Sequence, residues 1–514
     1  MSDDRAVFAV QHMHQRFLLR KLHHTQQFAP MYNARTLALK SRAADVAMST
    51  HTHLKRGAKS APPCDANSIA SRVLNLEVDK ESLVIGTLYK KLKTFRGYLS
   101  EYQKELVRID AGEEDEDGDE DGGGEGGDDM DVPSIEDLGI HTQDTQDTAS
   151  TDGPIPGGSL GLLCSDDDTI VIEDDSGRVE LIDAPIHSLV TGMIVAVRGK
   201  LNSQGKLVVT ELFFPGCPPA PIRQFPAAAP NYVAYVCDLS VGSRGSPVLL
   251  GKLVSFFGGA YDGDGIRAAS IGQLVIGGNV FEPTEELRLK NKVRLEPADH
   301  RRLGDLKGAG GSFSATSTSE VGTLADAGSM VRAMDQFIST VASISAPMHV
   351  TVLPGENDPS NAFWPQQPFH RLLLQESSKL ETVKVATNPH EFRVKPVGSD
   401  EQTTRVFVSS GQNVEDFVRQ SRYRSRVEAS AAIMHSGVAA PTAPNTLVCY
   451  PFIDIDPFVL DVAPHAFVSC NAPSFETSFV DGTRHIVVPS FLTTSQVVLM
   501  NLSSPTLETH VVTL

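Results

Sequence analysis

The sequence of 514 residues contains only six cysteines, one tryptophan and no long apolar run. The cysteines form no C-x-x-C pair that would supply two thiolates to one zinc ion, so we expect mostly buried, reduced thiols. No apolar stretch reaches the roughly 18 residues that a membrane-spanning helix needs. Because the first residues are polar and mixed, a secretory signal is not expected either. These absences predict an intracellular protein with no membrane contact, and the length of 514 residues suggests about three domains.

Charge is distributed unevenly along the chain. The formal net charge is −19, and residues 113–131 alone hold twelve acidic and no basic side chains. Because like charges repel and glycine adds backbone entropy, we predict that residues 111–157 form a disordered acidic insert, either simply solvated or a decoy for a basic partner. Residues 308–328, rich in Gly, Ser, Thr and Ala, are predicted to be a second, flexible insert.

The first 67 residues carry the opposite charge. Residues 1–62 hold ten Lys and Arg against three Asp, interleaved with large apolar side chains. Such a mixture suits nucleic acid, an acidic protein surface or solvent, and we favour a basic tail that partly docks on the rest of the chain or on a partner. Three histidine pairs lie in this tail without a carboxylate or thiolate nearby in sequence, so no metal is expected there: His12/His14, His23/His24 and His51/His53.

Short apolar segments separated by turns occupy residues 68–222. Segments 83–89, 161–163, 169–172, 193–197 and 206–209 have the length of strands, and such strands without a helical period predict a small closed β-barrel of the OB-fold type. Few aromatic side chains are available to stack bases, which favours protein scaffolding over nucleic-acid binding. A basic patch in this region is predicted to be solvent-exposed: Lys90, Lys91, Lys93 and Arg96.

Residues 230–514 combine continuous apolar strands with helical stretches near 330–344 and 427–434. Wholly apolar strands indicate sheets that are covered on both faces. We therefore predict an α/β sandwich in which helices flank two β-sheets.

Fingerprints of catalysis are mostly absent. Three Gly-Lys dipeptides are each followed by Leu, where a P-loop requires Ser or Thr. The letters of a nucleophile elbow occur in Gly157-x-Ser159-x-Gly161, but a polar linker precedes them and a predicted strand follows, which is the wrong context. Neither motif predicts an active site.

Polar residues follow several predicted strands of the last domain, in segments 236–240, 276–279, 353–358 and 469–473. The carboxyl ends of strands are where an α/β sheet places its site. A two-metal phosphoesterase would need Asp and His there, because a dinuclear centre requires a bridging carboxylate and imidazoles. Trp364, close to the third segment, is either an interface anchor or part of the core.

Longer strings around these positions resemble a known family. They are 353–361 (LPGENDPSN), 365–370 (PQQPFH), 387–389 (TNP), 410–414 (SGQNV), 441–444 (PTAP), 449–452 (CYPF), 471–475 (NAPSF), 84–88 (VIGTL) and Gln27-Phe-Ala-x-x-Tyr32-x-x-Arg35. On these strings the chain resembles the small (B) subunits of replicative DNA polymerases, those of polymerase delta more than those of alpha or epsilon. The resemblance implies an OB-fold barrel packed with a calcineurin-like phosphodiesterase sandwich.

The resemblance also implies that the phosphodiesterase metal site is degenerate. In its motifs Ser240 replaces a histidine, Asn279 replaces the bridging aspartate, and Asn471 and Pro473 replace the last two histidines. Eight positions make up this former site: Asp238, Ser240, Asn279, Glu356, Asn357, Asp358, Asn471 and Pro473. Two alternatives stay open, namely that Asp238, Glu356 and Asp358 hold one Mg²⁺ through water, and that the asparagines simply bond loop backbone.

The function implied is that of a non-catalytic scaffold without a cofactor. The resemblance implies partners in the nucleus, for DNA replication and repair: the cysteine-rich C-terminal domain of the polymerase delta catalytic subunit, the third polymerase delta subunit, the sliding clamp indirectly and DNA at most weakly. The alternatives are an active metal-dependent phosphodiesterase or nuclease, and the small subunit of polymerase alpha or epsilon.

Overall fold

The structure is a computed structural model that describes residues 5–20, 27–55, 72–93, 162–223, 230–242, 247–261, 268–282, 319–397 and 403–514, with backbone alone for 50–55 and 319–327. The predicted acidic insert lies outside the described residues, and so do Cys64, Arg96, His23/His24 and the Gly157-x-Ser159-x-Gly161 string, as well as the side chains of His51/His53. The strands, in chain order, are β1 (Phe8–His12), β2 (Glu81–Lys91), β3 (Thr169–Glu173), β4 (Arg178–Ile182), β5 (Ile194–Leu201), β6 (Leu207–Phe213), β7 (Tyr232–Val236), β8 (Ile271–Gly277), β9 (His349–Leu353), β10 (Val383–Val385), β11 (His390–Pro396), β12 (Thr404–Ser409), β13 (Ala466–Ala472), β14 (Glu476–Val480), β15 (Thr483–Pro489), β16 (Gln496–Asn501) and β17 (Thr509–Thr513). The α-helices are α1 (Ala29–Lys55), α2 (Pro247–Phe257), α3 (Ser319–Ile344), α4 (Gln412–Arg419), α5 (Arg426–Ser436) and α6 (Phe491–Thr494).

Five strands close into the predicted barrel in the order β2, β3, β4, β6, β5. Alternate apolar residues point inward, such as Ile170 and Ile172 of β3, because successive side chains of a strand face opposite sides. Glycine is required at position 86 in β2, because a Cβ there would lie 2.3 Å from the carbonyl oxygen of Glu173 on β3. Residues 162 and 163 are not in a strand, so that part of the strand prediction is wrong.

Two six-stranded mixed sheets form the larger part of the chain. One has the order β1-β11-β12-β13-β15-β14 and the other β10-β9-β8-β7-β16-β17. A shared core of buried side chains, including Val233, Tyr235, Val406 and Val468, joins their inner faces. Strands β7 to β10 are mutually parallel. The first three are buried along almost their whole length, which fits their mostly apolar sequences, whereas the edge strand β10 carries the exposed Lys384.

Helices cover the outer faces of both sheets. Phe256 of α2 and Ile338 of α3 belong to the core on the second sheet. Phe407 and Phe467 on the outer face of the first sheet share a core with α4, α5 and the barrel. The barrel and the sandwich are therefore joined by one continuous apolar core.

The N-terminal residues contribute to both parts. Strand β1 pairs antiparallel with β11, and Phe8 is buried between the sheets. Helix α1, which the sequence analysis did not predict, packs on the barrel through side chains four residues apart, among them Leu39, Ala43 and Ala47.

Two further predictions need correction. Helix α3 begins at Ser319, so residues 319–328 are helical and only 308–318, which lie outside the described residues, are left of the predicted flexible insert. Strong helix formers such as Glu320, Leu324 and Ala325 explain this outcome. Lys90 is 2% exposed rather than solvated, because its ammonium group donates to the carbonyl oxygens of Ile186 and Gln420, each at 2.8 Å.

Three smaller findings bear on the sequence analysis. Four of the five described cysteines are buried and all five are free thiols. Trp364 is 1% exposed and packs against Phe458 with ring centroids 5.9 Å apart, so it belongs to the core. Among the described helices, none combines the length and the apolar character required to cross a membrane.

Candidate functional site

The predicted site residues gather where β7, β8, β9 and β13 end. The loops after these strands touch through short hydrogen bonds: the amide of Asp238 donates to the carbonyl oxygen of Gly278 at 3.0 Å, and the amide of Asn357 donates to Oδ1 of Asn279 at 3.2 Å. Asn471 reaches across from the other sheet and donates through Nδ2 to the carbonyl oxygen of Gly277 at 2.9 Å. The structure thus brings together residues that are more than 200 positions apart in sequence.

Backbone conformation at this edge is unusual. Four non-glycine residues have left-handed φ values: Asp238 (53°), Ser240 (44°), Asn279 (52°) and Asn471 (60°). Such residues are uncommon, and they cluster at functional sites where the surrounding structure holds them in place. The edge therefore has the backbone geometry of a site.

The loops at this edge are in direct contact. A Cβ on Gly278, whose φ is +89°, would lie 2.6 Å from Cβ of Ser410 and 2.8 Å from Cα of Gly355. A Cβ on Gly355 would lie 2.3 Å from the backbone nitrogen of Asn279. Glycine is required at both positions because the loops leave no space for a side chain.

Asp238 is bonded by two hydroxyl groups. Ser240 Oγ donates to Oδ1 at 2.8 Å and Ser490 Oγ donates to Oδ2 at 2.5 Å. Ser490, the N-cap of α6, was missed by the sequence analysis because it lies in none of the strand-end segments considered there. Both carboxylate oxygens of Asp238 thus have partners within the chain.

Asp358 is buried and accepts three backbone amides. Oδ1 accepts from Val280 at 2.8 Å and from Phe281 at 2.9 Å, and Oδ2 accepts from Gly355 at 2.7 Å. Burial raises the pKa of its carboxyl group to about 7, while the N–H donors act in the opposite direction. This side chain holds the loops after β8 and β9 together.

Asn471 and Asn279 also serve the backbone. Besides its bond to Gly277, Asn471 Nδ2 donates to the carbonyl oxygen of Ser410 at 2.9 Å. Its Oδ1 is buried and has no hydrogen-bond partner in the described residues. Pro473, two residues after Asn471, lines a surface cleft with Phe475 and Thr494.

A buried amide network beside these loops was not predicted. Asn388 Nδ2 donates to Gln366 Oε1 at 2.8 Å and to Ser410 Oγ at 2.7 Å, while Gln366 Nε2 donates to the carbonyl oxygen of Gly355 at 2.9 Å. Gln412 also bonds Gln366, at 2.9 Å. The signal was present in the strings at 365–370, 387–389 and 410–414, but nothing in them indicated that they meet.

The strand edge offers no three-residue metal site in the part of the chain that the structure describes. Asp238, Glu356 and Asp358 do not bring carboxylate oxygens close enough to form such a group. The group of three that does form lies elsewhere, at His12, His14 and His390, with one ring nitrogen from each within 4.8 Å of the others.

Comparison with known proteins agrees with the fold. Residues 233–477 match the family model of the DNA polymerase alpha/epsilon B subunit, and residues 27–137 and 144–212 match that of the DNA polymerase delta subunit OB-fold domain. DNA polymerase delta subunit 2 of Drosophila melanogaster is 31% identical over 347 residues, which cover 66% of this chain and 72% of that protein. The chain belongs to the family of DNA polymerase delta small subunits.

Other members of this family, from a plant and a yeast, also match this chain. The DNA polymerase delta small subunit of Arabidopsis thaliana is 28% identical over 507 residues, covering 96% of this chain and 93% of that protein. That of Saccharomyces cerevisiae is 27% identical over 387 residues, covering 66% and 70%. The predicted resemblance is confirmed, and the alternative of an alpha or epsilon small subunit gains no better support.

Proposed function

We propose that this chain is a non-catalytic accessory subunit of DNA polymerase delta that bridges the cysteine-rich C-terminal domain of the catalytic subunit and the third subunit. It would act in the nucleus, in DNA replication and repair, with only indirect contact to the sliding clamp and at most weak contact to DNA. Family membership supports the subunit role, since the relatives carry that name. The two-sheet sandwich flanked by helices supports a calcineurin-like phosphodiesterase ancestry for residues 230–514.

The main support for a non-catalytic role is that the polar side chains at the strand edge form hydrogen bonds within the chain itself. The carboxylates of Asp238 and Asp358 each accept at least two hydrogen bonds from the chain itself. A dinuclear hydrolase needs a bridging carboxylate and imidazole ligands on both ions. At this edge the corresponding positions hold Ser240, Asn279 and Asn471. Internal hydrogen bonds support a structural role for these residues.

The first test is affinity purification of the tagged chain from its own cells at moderate salt, followed by mass spectrometry. Stoichiometric recovery of a large catalytic subunit with a cysteine-rich C-terminal domain, together with a third subunit, is expected. Recovery of no polymerase would refute the proposal and would call for metal analysis and a phosphodiester hydrolysis assay.

A variant at the strand edge separates scaffold from enzyme. Asp238→Asn keeps an acceptor for Ser490, so assembly should be unchanged. Asp358 is unsuitable for this purpose, because its loss would leave three backbone amides without an acceptor and destabilise the fold. A metal-dependent phosphodiesterase activity of the native complex that Asp238→Asn abolishes would overturn the proposal.

DNA contact needs a test that leaves the N-terminal residues in place. Deletion of residues 1–62 would remove β1 from its sheet and α1 from the barrel, so loss of binding would not report on DNA contact. A salt titration of the intact chain with duplex DNA is preferable, because the slope counts the phosphates neutralised. We expect weak binding, with a slope of log affinity against log salt concentration that is close to zero.

A further inference from the structure

Three histidines from distant parts of the sequence meet beside β1. His12 ends β1, His14 begins the following 3-10 turn (His14–Phe17), and His390 begins β11. Nδ1 of His12 lies 3.0 Å from Nε2 of His390, which is 378 residues away along the chain. The His14 ring centroid lies 5.1 Å from that of His390 and 6.1 Å from that of His12. A metal was not expected there because no carboxylate or thiolate lies nearby in sequence, and a third ligand as distant as His390 could not be seen from that segment.

The cluster has unused binding capacity. Nδ1 of His14 is buried without a hydrogen-bond partner in the described residues. Nδ1 of His390 is unpaired too, but it lies on the other side of its ring from the Nε2 that faces His12, so the His14 nitrogen is the one that an ion here would use. His14 is 7% exposed and His390 is 0% exposed, so water does not readily replace the missing partners. Buried polar groups are normally satisfied, and each exception calls for an explanation such as an ion.

The surroundings of the three rings disfavour a proton on the imidazoles. Burial lowers the pKa of His12 to about 4 and lowers the pKa of His14 and of His390 as well, with the neighbouring Lys384 adding to each effect. The rings are therefore neutral at pH 7, and metal ligation requires neutral imidazole. His349 is also near His12, but its Nε2 is bonded to the carbonyl oxygen of Phe8 at 2.9 Å.

We propose that His12, His14 and His390 bind one Zn²⁺ ion that fastens β1 and the following turn to β11. Three imidazoles with no carboxylate in the group favour zinc over Mg²⁺ or Ca²⁺, which take oxygen ligands. Zinc–nitrogen bonds of about 2.0–2.1 Å in a tetrahedron place the nitrogens about 3.3 Å apart. The His12 and His390 nitrogens lie 3.0 Å apart in a hydrogen bond that the ion would replace, and His14 would close the site by moving inward. The fourth ligand would be a water that reaches the ion from the side of His12, the half-buried member of the group.

This site is independent of the proposed scaffold function. A zinc ion here would join the start of the chain to the sheet whose other strands carry Asn471, without contributing to chemistry at the strand edge. Its effect is on the anchoring of residues 5–20.

The test uses the full chain, produced without a polyhistidine tag, stripped with chelator and titrated with Zn²⁺ against a chromophoric competitor. One equivalent should bind. His14→Gln should weaken that binding by about 100-fold or more, since loss of even an outer-shell partner commonly costs about 10- to 100-fold. His370→Gln, at an exposed histidine outside the cluster, is the matched control and should change nothing.

Two further measurements keep the proposal falsifiable. Lys384→Ala should tighten Zn²⁺ binding by about 2- to 5-fold, because it removes an exposed and partly screened positive charge beside the ion. Co²⁺ added to the native chain should give the visible bands of a four-coordinate site with nitrogen ligands, which requires no variant to fold. Absence of stoichiometric binding, or equal affinity of native chain and His14→Gln, would show that the imidazoles only pack together.

Discussion

Replacing Arg35 with Met should destabilise the junction between barrel and sandwich more than any surface substitution on the same helix. Arg35 is completely buried on α1. Its Nε donates to Oδ2 of Asp456 at 2.5 Å, and Nη1 and Nη2 donate to the carbonyl oxygens of Pro441 and Ala443 at 2.9 and 2.7 Å. Nη1 also reaches the carbonyl oxygen of Gly192 in the barrel at 3.1 Å. One guanidinium group therefore joins three separate parts of the fold.

The expected loss of folding stability follows from the buried groups that lose their partner when Arg35 is replaced. Methionine fills much of the volume, so the cost comes from an uncompensated Asp456 carboxylate and three carbonyl oxygens without donors. Breaking a buried ion pair by removing one partner costs about 3–5 kcal/mol. Arg35→Lys should recover only part of this, because an ammonium group lacks the planar fork that reaches several acceptors at once.

The assay is urea unfolding followed by tryptophan fluorescence. Trp364 is the only tryptophan, and it packs on Phe458, whose amide donates to Asp456 Oδ1 at 2.9 Å. The signal therefore reports directly on this junction. The control is Arg42→Met on the same helix. Arg42 donates one hydrogen bond to the carbonyl oxygen of Leu460 at 2.8 Å, and its ion-pair partner Asp461 is 75% exposed at 3.7 Å, so the expected loss is only about 1 kcal/mol.

A loss below about 1.5 kcal/mol for Arg35→Met, with Arg42→Met indistinguishable from it, would refute the assignment of Arg35 as the fastening residue. The double variant Arg35→Met/Asp456→Leu adds a second check. Because both charges are then absent, it should be less destabilised than the sum of the single variants by about 2–3 kcal/mol. Strict additivity would show that the two side chains do not depend on each other.

Three other perturbations have definite expected outcomes. Asp358→Ala should lower stability by about 3–5 kcal/mol in thermal unfolding, because it strands three buried amides; a shift within error would contradict that account. For His485, burial lowers the pKa to about 4, so the stability it contributes is complete above pH 6.5 and is lost as the pH falls toward 4, by about 2–3 kcal/mol. His485→Gln should flatten the pH dependence of unfolding in that window, and an unchanged slope would exclude this residue. Lys90→Met should cost about 3–5 kcal/mol, because the buried Asp168 carboxylate at 3.7 Å then loses its counter-charge; a cost like that of the exposed Lys91→Met would be inconsistent with the burial of Lys90.

Strand periodicity carried most of the fold prediction. Continuous apolar runs located β7, β8, β9 and β13, and they are buried on both faces as such runs require. Strand β11 was missed because His390, Glu391 and Arg393 interrupt its apolar pattern. Those polar residues have long-range partners, such as Arg16 and Arg405 for Glu391, which no local pattern indicates.

Helix α1 was missed for a related reason. Its buried face is made largely of small or polar residues, with Ala43, Ala47 and Arg35 in place of large aliphatic side chains. Arg35 is buried only because acceptors from other segments surround it. A sequence pattern assigns such a residue to solvent, since arginine is rarely buried unless it is paired.

The candidate site also shows what a sequence pattern can and cannot predict. The strings at the strand ends were interpreted as remnants of a metal site, and Asp238, Asn279 and Asn471 do come together there. Ser490, which bonds Asp238, and the amide network of Gln366 and Asn388, which bonds Gly355 and Ser410 beside the site, lie in segments whose meeting depends on the whole fold. The sequence predicted which side chains come together, but it did not predict the hydrogen bonds that they form.

Hydrogen bonds of this kind explain what the strings that resemble the family do in the fold. The string at 353–361 contains Asp358, which ties two loops, and the strings at 27–35 and 441–444 meet where Arg35 binds the carbonyl oxygens of Pro441 and Ala443. At each of these places the motif joins segments that are distant in sequence. The scaffold role proposed above would need such rigid junctions, because relative motion between barrel and sandwich would move any surface built on both. Under that proposal, the motifs that suggested chemistry would act in this chain mainly as architecture.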